Sequence, residues 1–285
     1  MNNTTKVYLN GEFIPFTEAR ISVMDRGFLF GDSIYEVIPA YGGRLFRLQH
    51  HLHRLENSLH AIHMTNPLSQ DEWEHILATL VTQFPGEDQS VYLQVTRGVA
   101  PQRDHAIPEG LKPTVFATTA PFPSIDPQCY RQGISAITLD DIRWRFCNIK
   151  ATTLLPNVMV RQEAKERGAM EAILIRDGEA IEGAASNLFI VDDGQIITPP
   201  KGEHLLPGVT RDLVLELAAE AEIPYCEAHI KVDQLDSADE IWLTSSTREI
   251  MPVTHLDDCP INNGTPGEMW YKIFERFQAY KEELR

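Results

Sequence analysis

Apolar positions along the chain switch between a period near two and a period near 3.6, and each switch marks an element. At the start, Val7-Tyr8-Leu9 and Glu12-Phe13-Ile14 flank Asn10-Gly11, a pair that tolerates the positive φ of a tight turn, so a hairpin is predicted. Leu48, Leu52, Leu55, Leu59 and Ile62 then recur at helical spacing and predict a helix from about Leu48 to His63. Trp73, Ile76, Leu77, Leu80 and Phe84 predict a second near Asp71 to Phe84. Strands are expected at Val91–Val95, Thr114–Thr119 and Ile134–Thr138.

Pro121, Pro123 and Pro127 interrupt both periods, because proline donates no backbone hydrogen bond. They divide the chain into a small N-terminal domain (1–120), a linker (121–128) and a larger domain (129–285). In the larger part a helix is predicted over Asn157–Arg167, with Gly168 as its stop. Two hairpins follow, turning at Asp177-Gly178 and at Asp193-Gly194. A strand is read at Glu240–Leu243. A helix from Thr210 to about Ala221 is expected to use Thr210 as N-cap, with Asp212 favouring its first turn. Trp270, Ile273, Phe274, Phe277 and Tyr280 mark a last helix over Gly267–Leu284. Strands and helices mix without regular alternation, so the fold class is α+β with two domains.

Composition narrows the function. The 285 residues are 43% hydrophobic and 23% charged, as in an ordinary globular protein. No stretch has the apolar length of a bilayer span, and Met1 to Lys6 lacks the apolar core of a secretory signal. The formal net charge of −16 argues against nucleic acid or anionic membrane as partners. It also means that an anionic substrate needs a local cluster of basic groups. Cys129, Cys147, Cys226 and Cys259 are scattered without a C-x-x-C pair, which suits free thiols in a reducing, cytoplasmic setting.

Several segments carry candidate chemistry. Leu206-Pro207-Gly208-Val209-Thr210 places free amides at a helix start, which suits an anion such as phosphate, although an ordinary capped helix reads the same way. Thr244-Ser245-Ser246-Thr247 offers four hydroxyls after a strand, and is equally a Ser/Thr-rich turn. Lys150 lies in the mostly apolar run Phe146–Leu155, where a lysine pKa falls and the amine becomes a nucleophile; a surface lysine at a strand end remains open. Glu182, beside small residues, reads as a ligand-facing carboxylate or as a solvated turn. Arg103 and His105 sit at alternate positions on a Pro/Gly-containing loop, where they suit a carboxylate or simply face solvent. The run His50, His51, His53, His60 and His63 scatters around a helix with no completing cysteine or acid, and is read as a solvated face, not a metal site.

In order along nearly the whole chain, these segments resemble the class IV (fold type IV) aminotransferases of the D-amino-acid transaminase type. The resemblance rests on Tyr8-Leu9-Asn10-Gly11, Asp25 through Val37 (Asp-Arg-Gly-Phe-Leu-Phe-Gly-Asp-Ser-Ile-Tyr-Glu-Val) and His51-Leu52-His53-Arg54-Leu55. It continues through Asp141-Ile142-Arg143-Trp144, Asn148-Ile149-Lys150, Glu182–Asn187 and Gly208-Val209-Thr210-Arg211. It implies a small α/β domain and a larger domain with a mixed, barrel-like sheet, with pyridoxal 5'-phosphate between them. Lys150 is then the Schiff-base lysine and proton shuttle, and Glu182 the partner of the pyridine nitrogen. Arg54, Val209, Thr210, Ser245 and Ser246 are implied at the phosphate, with Ser186, Asn187 and Leu206 also around the cofactor and Arg143 supporting the ring side. Tyr35, Arg103 and His105 are implied to bind the substrate α-carboxylate. That assignment answers the charge problem by concentrating basic groups where an acid docks. The substrates implied are a D-amino acid such as D-alanine and a 2-oxo acid such as 2-oxoglutarate, and the assembly a homodimer. Other chemistries of the same scaffold stay as alternatives: branched-chain or amine transamination, aminodeoxychorismate lyase activity, or binding the cofactor without catalysis.

Overall fold

The protein is described by a computed structural model over residues 5–122 and 126–284. The chain forms two compact units. One holds residues 5–122 with Ile149–Thr153 and Leu284; the other holds residues 126–148 and Leu154–Glu283.

The first unit is built on one antiparallel sheet. Strands β1 (Lys6–Leu9) and β2 (Glu12–Pro15) form the expected hairpin, with Asn10 at φ 52° and Gly11 at φ 106° in its turn. A short helix α1 (Arg26–Phe30) leads into β3 (Ser33–Tyr41), which pairs with β4 (Arg44–Leu45). Helices α2 (Leu48–Ala61) and α3 (Gln70–Val81) follow, then β5 (Gln89–Thr96) and β6 (Thr114–Pro121), giving the order β2-β1-β6-β5-β3-β4. Ser69 and Glu72 form a reciprocal capping box at the start of α3. Leu55, Leu59, Trp73 and Leu77 from the helices meet Ile34, Ile38, Val91, Leu93 and Val95 from the sheet in one core. β3 is buried along nearly its whole length, so it lacks the in–out alternation by which a half-buried strand is read from sequence.

The second unit is a closed mixed sheet with helices packed on it. Helix α4 (Gln128–Gln132) and β7 (Ile134–Asp140) precede α5 (Leu155–Glu166), then the hairpins β8 (Glu171–Arg176)–β9 (Glu179–Gly183) and β10 (Asn187–Asp192)–β11 (Gln195–Thr198). The chain continues through α6 (Val209–Glu220), β12 (Tyr225–Glu227), β13 (Ile230–Lys231), α7 (Val232–Ser237), β14 (Glu240–Ser245), β15 (Glu249–Leu256), β16 (Cys259–Pro260) and α8 (Glu268–Glu282). Antiparallel pairs β10–β14, β14–β15, β8–β9 and β9–β10 combine with parallel pairs β15–β7 and β7–β8 to close a six-stranded ring. The mixed, barrel-like sheet expected from the resemblance is therefore present. Ile134, Ile173, Leu188, Ile190, Ile241, Leu243, Met251 and Val253 are among its buried side chains. On α8, Trp270, Ile273 and Phe277 are buried, and Trp270 stacks on Phe274 at 4.6 Å.

Three local expectations change. Pro121 is the last residue of β6 and Pro127 precedes α4, so the stretch read as a linker is partly structured; its residues 123–125 lie outside the described residues. Thr210 is not the cap of α6. That place is taken by Gly208, which has no side chain to offer, and Thr210 is buried in the first turn. Finally, Ile149–Thr153, assigned to the C-terminal part from sequence, packs with the first unit. Its backbone lies along β3: Tyr35 N donates to the Lys150 carbonyl at 3.0 Å, and Thr152 N donates to the Ser33 carbonyl at 3.1 Å.

Candidate active site

Lys150 is fixed by its backbone before its amine is considered. Ala151 bridges Ile34 of β3, and the Lys150 N–H donates to Ser58 Oγ on α2 at 3.2 Å. The main chain is thus held from two sides, and the half-buried side chain lies over the Tyr35 ring with Nζ 4.4 Å from its centroid. An ammonium above an aromatic face is favourable by about 0.5–1 kcal/mol. Tyr35 in turn stacks on Tyr92 at 5.8 Å, and burial, with the nearby Tyr35, pushes the Tyr92 phenol up to about 12.

Directly after Tyr35, Glu36 points into the protein and is fully buried. Arg54 Nε and Nη2 donate to its two oxygens at 2.7 and 2.8 Å, and His51 Nδ1 lies 2.8 Å from Oε2. Burial opposes the charge on Glu36, but the Arg54 guanidinium and the His51 contact outweigh it and hold the carboxyl well below its usual range. Burial acts the other way on His51 and lowers its pKa despite Glu36. This corrects the reading of the histidine run: His50, His53, His60 and His63 are exposed, but His51 is 0% exposed and belongs to the ion network behind the lysine. Sequence reasoning passed over Glu36 and His51 as a pair. The available signal was a charge inside the apolar run Ile34–Ile38, which must be matched by a cation when buried.

In the second unit, Glu182 on β9 is buried at 4% exposure and is no solvated turn. Arg143 Nη1 donates to its Oε1, while Asn187 Nδ2 and Leu206 N each donate to Oε2 at 3.1 Å. Burial raises the Glu182 pKa, against the lowering influence of Arg143. Arg143 is itself chelated by Asp141, with Nε and Nη2 at 2.8 and 2.9 Å. Burial disfavours its charge, yet Asp141 and Glu182 hold its pKa above the ordinary value. Asn187 lies opposite Glu182 in β9–β10 and opposite Thr244 in β10–β14, and also donates to the Leu206 carbonyl at 2.8 Å. Gly208 packs against Asn187, and α6, which begins at Val209, packs against β14. The implied residues Glu182, Arg143, Asn187, Leu206, Val209, Thr210 and Ser245 thus form one connected neighbourhood of this unit, with Ser246 in the turn after β14.

Arg103 and His105 are brought together in a different way. Both are exposed, and both sit at the ring of Phe30, the Arg103 guanidinium 4.9 Å and the His105 ring 5.1 Å from its centroid.

The profile of the amino-transferase class IV family matches residues 33–256. The chain belongs to the class IV aminotransferases. It is 43% identical to a D-alanine aminotransferase of Bacillus licheniformis, over 93% of either chain. It is 36% identical to a D-alanine aminotransferase of Staphylococcus aureus strain N315, over 97% of this chain and 98% of that one. Among solved structures, the branched-chain aminotransferase of Escherichia coli superposes with a TM-score of 0.90 at 26% identity, covering 96% of this chain and 93% of the other. A T.th. branched-chain aminotransferase solved with pyridoxamine 5'-phosphate gives 0.89 at 27%, covering 98% and 95%.

As a class IV aminotransferase the protein uses pyridoxal phosphate, and its own residues fit that group. The start of α6 has no side-chain cap, so its first amides are donors directed out of the helix. Nearby, Ser186 Oγ and Thr244 Oγ1 are buried hydroxyls with no hydrogen-bond partner among the described residues. Amides and hydroxyls of this kind are the donor set that a phosphate takes. Thr244 belongs to the run of four hydroxyls picked out from sequence, although the resemblance implied only Ser245 and Ser246 of that run at the phosphate. No helix of the described residues is long and apolar enough to cross a membrane.

Proposed function

We propose that this aminotransferase moves the amino group of a D-amino acid such as D-alanine to a 2-oxo acid such as 2-oxoglutarate, with Lys150 holding pyridoxal phosphate. The observation that carries the reading is Lys150 itself: an amine whose backbone is tied to both β3 and α2 and whose side chain rests on Tyr35. When bound, the cofactor supplies an electron sink that eases removal of the substrate Cα proton. Lys150 holds the cofactor covalently at rest. With substrate in the site, the free Lys150 Nζ would take the Cα proton and later give a proton back. Glu182 keeps the ring nitrogen protonated, since a buried carboxylate seeks a cationic partner, with Asn187 and Arg143 fixing its position. Arg54, Val209, Thr210, Ser245 and Ser246 take the phosphate, with Ser186 and Leu206 beside them. Arg143 also braces the ring side through Asp141. Tyr35, Arg103 and His105 bind the substrate carboxylate, with Arg103 supplying the planar fork that suits it.

Two relatives named D-alanine aminotransferase, at 43% and 36% identity over nearly the whole chain, favour the D-amino-acid reading over the branched-chain one that the solved structures at 26–27% bring to mind. The enzyme works in the cytoplasm as a homodimer. Ile21, Val23, Phe28, Val99 and Ile107 of the first unit expose large apolar surface, which a second copy of the chain covers.

The test has two arms. Borohydride reduction of the native protein followed by peptide mapping places the label on Lys150. A substrate panel then shows D-alanine processed far faster than L-alanine or L-leucine. A label on another lysine removes the lysine assignment, and preference for L-leucine removes the D-specific one.

A further inference from the structure

The loop that carries Arg103 and His105 has no helix or strand from Pro101 to Ile107, and each of its residues is exposed. A pair of side chains on such a loop binds a carboxylate well only if something fixes the loop first, because ordering it on binding costs affinity. The fixing group is Arg26, 4% exposed at the first position of α1. Its guanidinium donates to three successive carbonyls of the loop: Nη1 to Asp104 at 2.7 Å and to Ala106 at 3.3 Å, and Nη2 to His105 at 3.2 Å.

Arg26 is itself rigidly mounted. Its Nε donates to Asp32 at 2.7 Å, and Asp32 also accepts from Arg97 Nε at 2.8 Å. Arg97 reaches on to the Ile62 carbonyl at the end of α2, at 2.7 Å. The Arg26 N–H donates to the Gly98 carbonyl at 2.9 Å, and Asp25 caps α1 while accepting from Thr114 Oγ1 at 2.6 Å. One turn later on the same helix, Phe30 places its ring 4.9 Å from the Arg26 guanidinium, 4.9 Å from Arg103 and 5.1 Å from His105. The backbone of the loop is drawn inward by Arg26, while the two side chains rest on Phe30.

We infer that Arg26 is the positioning residue for the carboxylate-binding pair Arg103 and His105, with Phe30 as the surface on which that pair is held. The inference rests on the proposed role of Arg103 and His105. Arg26 touches no reacting atom; it sets where two substrate-binding groups sit. Its loss therefore acts on substrate binding more than on turnover.

The test is a mutant cycle on the holoenzyme. Arg26→Lys keeps the charge facing Asp32 but has no planar fork to span three carbonyls. It is expected to raise KM for D-alanine by about tenfold, the scale of one to two lost hydrogen bonds, with kcat, cofactor absorbance and Tm close to wild type. Phe30→Leu, which keeps apolar volume and Arg26, is expected to raise KM in the same direction. The Arg103→Ala/His105→Ala variant raises KM on its own, and adding Arg26→Lys to it produces no further rise. If Arg103→Ala/His105→Ala leaves KM unchanged, the carboxylate assignment fails and takes this inference with it. If that variant raises KM but Arg26→Lys does not, or if the two losses simply add, the positioning role alone is wrong. A fall in kcat and cofactor content together on Arg26→Lys, with Phe30→Leu silent, equally refutes it.

Discussion

Asn187 stands opposite Glu182 at the seam where β9 and β10 close the sheet of the second unit, and its side-chain amide donates to the Glu182 carboxylate at 3.1 Å. Strand register therefore sets the orientation of the carboxylate proposed to meet the cofactor nitrogen. Asn187→Ala should remove that orientation while leaving the charge. We expect kcat for D-alanine to fall by about 10–100-fold, as for loss of a supporting hydrogen bond, with Glu182→Gln falling further, by on the order of 10²–10³. Steady-state kinetics of the two variants, each checked for bound cofactor by its visible absorbance, decide it. Equal and near-wild-type kcat in both variants would sever Glu182 from the reaction.

Arg143 offers a separate expectation for stability. It is the buried cation between two acids, Asp141 and Glu182. Arg143→Met leaves both carboxylates without their shared partner, and breaking such a buried pair from one side costs roughly 3–5 kcal/mol. Chemical denaturation of the cofactor-free protein is the measurement, because bound cofactor adds its own stabilisation. A change below about 1 kcal/mol, the scale of an exposed pair, would show that the site is wetter than its geometry.

The Glu36–His51–Arg54 cluster makes folding depend on pH in one direction. Both titrating members have folded pKa values below their unfolded ones: His51 through burial, Glu36 through Arg54 and His51. Below the unfolded histidine pKa of about 6.5, the unfolded chain binds a proton that buried His51 does not, so stability falls as pH falls. Glu36 adds to the loss below about 4.3, the unfolded glutamate value. One such group gives a slope of at most about 1.4 kcal/mol per pH unit. His51→Gln is expected to flatten the dependence of stability between pH 7 and pH 5 and to leave the lower limb. The same slope in wild type and variant over that window would assign the acid sensitivity elsewhere.

How far the sequence revealed this site depended on the kind of residue. Turns were legible where backbone chemistry is local: Asn10-Gly11, Asp177-Gly178 and Asp193-Gly194 all close hairpins. Amphipathic helices were legible because Leu52, Leu55 and Leu59 keep one face of α2 buried. β3 was not, since a strand covered on both faces carries no alternation. Lys150 and Glu182 stood out individually, and the resemblance supplied Arg143, Asn187 and Leu206 around Glu182, but the surroundings of Lys150 were not legible. Ser58 is brought to Lys150, and His51 to Glu36, by tertiary packing, which no local pattern encodes. The closure of the second sheet followed from the resemblance and from no local pattern, because the β9–β10 pairing rests on one residue pair across a tight turn.

Lys150→Ala is the direct expectation for the chemical step. Its backbone contacts to Ser58 and Tyr35 use main-chain atoms and survive the change. The fold should persist, while the covalent anchor and the proton carrier vanish together. Loss of a positioned general base alone costs about 10²–10⁴ in rate, so we expect kcat to fall by on the order of 10⁴ or more. Circular dichroism should match wild type, and the reduced, labelled peptide should disappear. Undiminished turnover would move the chemistry to another amine.

The close approach of Gly208 to Asn187 gives the last test. Gly208 has an ordinary φ of −73°, so backbone strain is not what demands glycine here. The demand is spatial: a β-carbon at 208 would lie 1.9 Å from Asn187 Oδ1. Asn187 has little room to retreat, since its amide is committed to both Glu182 and the Leu206 carbonyl. Gly208→Ala must therefore push the start of α6 away from β10, and Val209 and Thr210, the proposed phosphate donors, move with it. We expect affinity for pyridoxal phosphate to drop by about tenfold or more, equivalent to ~1.4 kcal/mol, accompanied by a lower Tm. Titration of the cofactor-free variant with pyridoxal phosphate measures the first and thermal melting the second. A lower Tm with unchanged cofactor affinity would mean that the helix start packs against Asn187 but does not hold the phosphate.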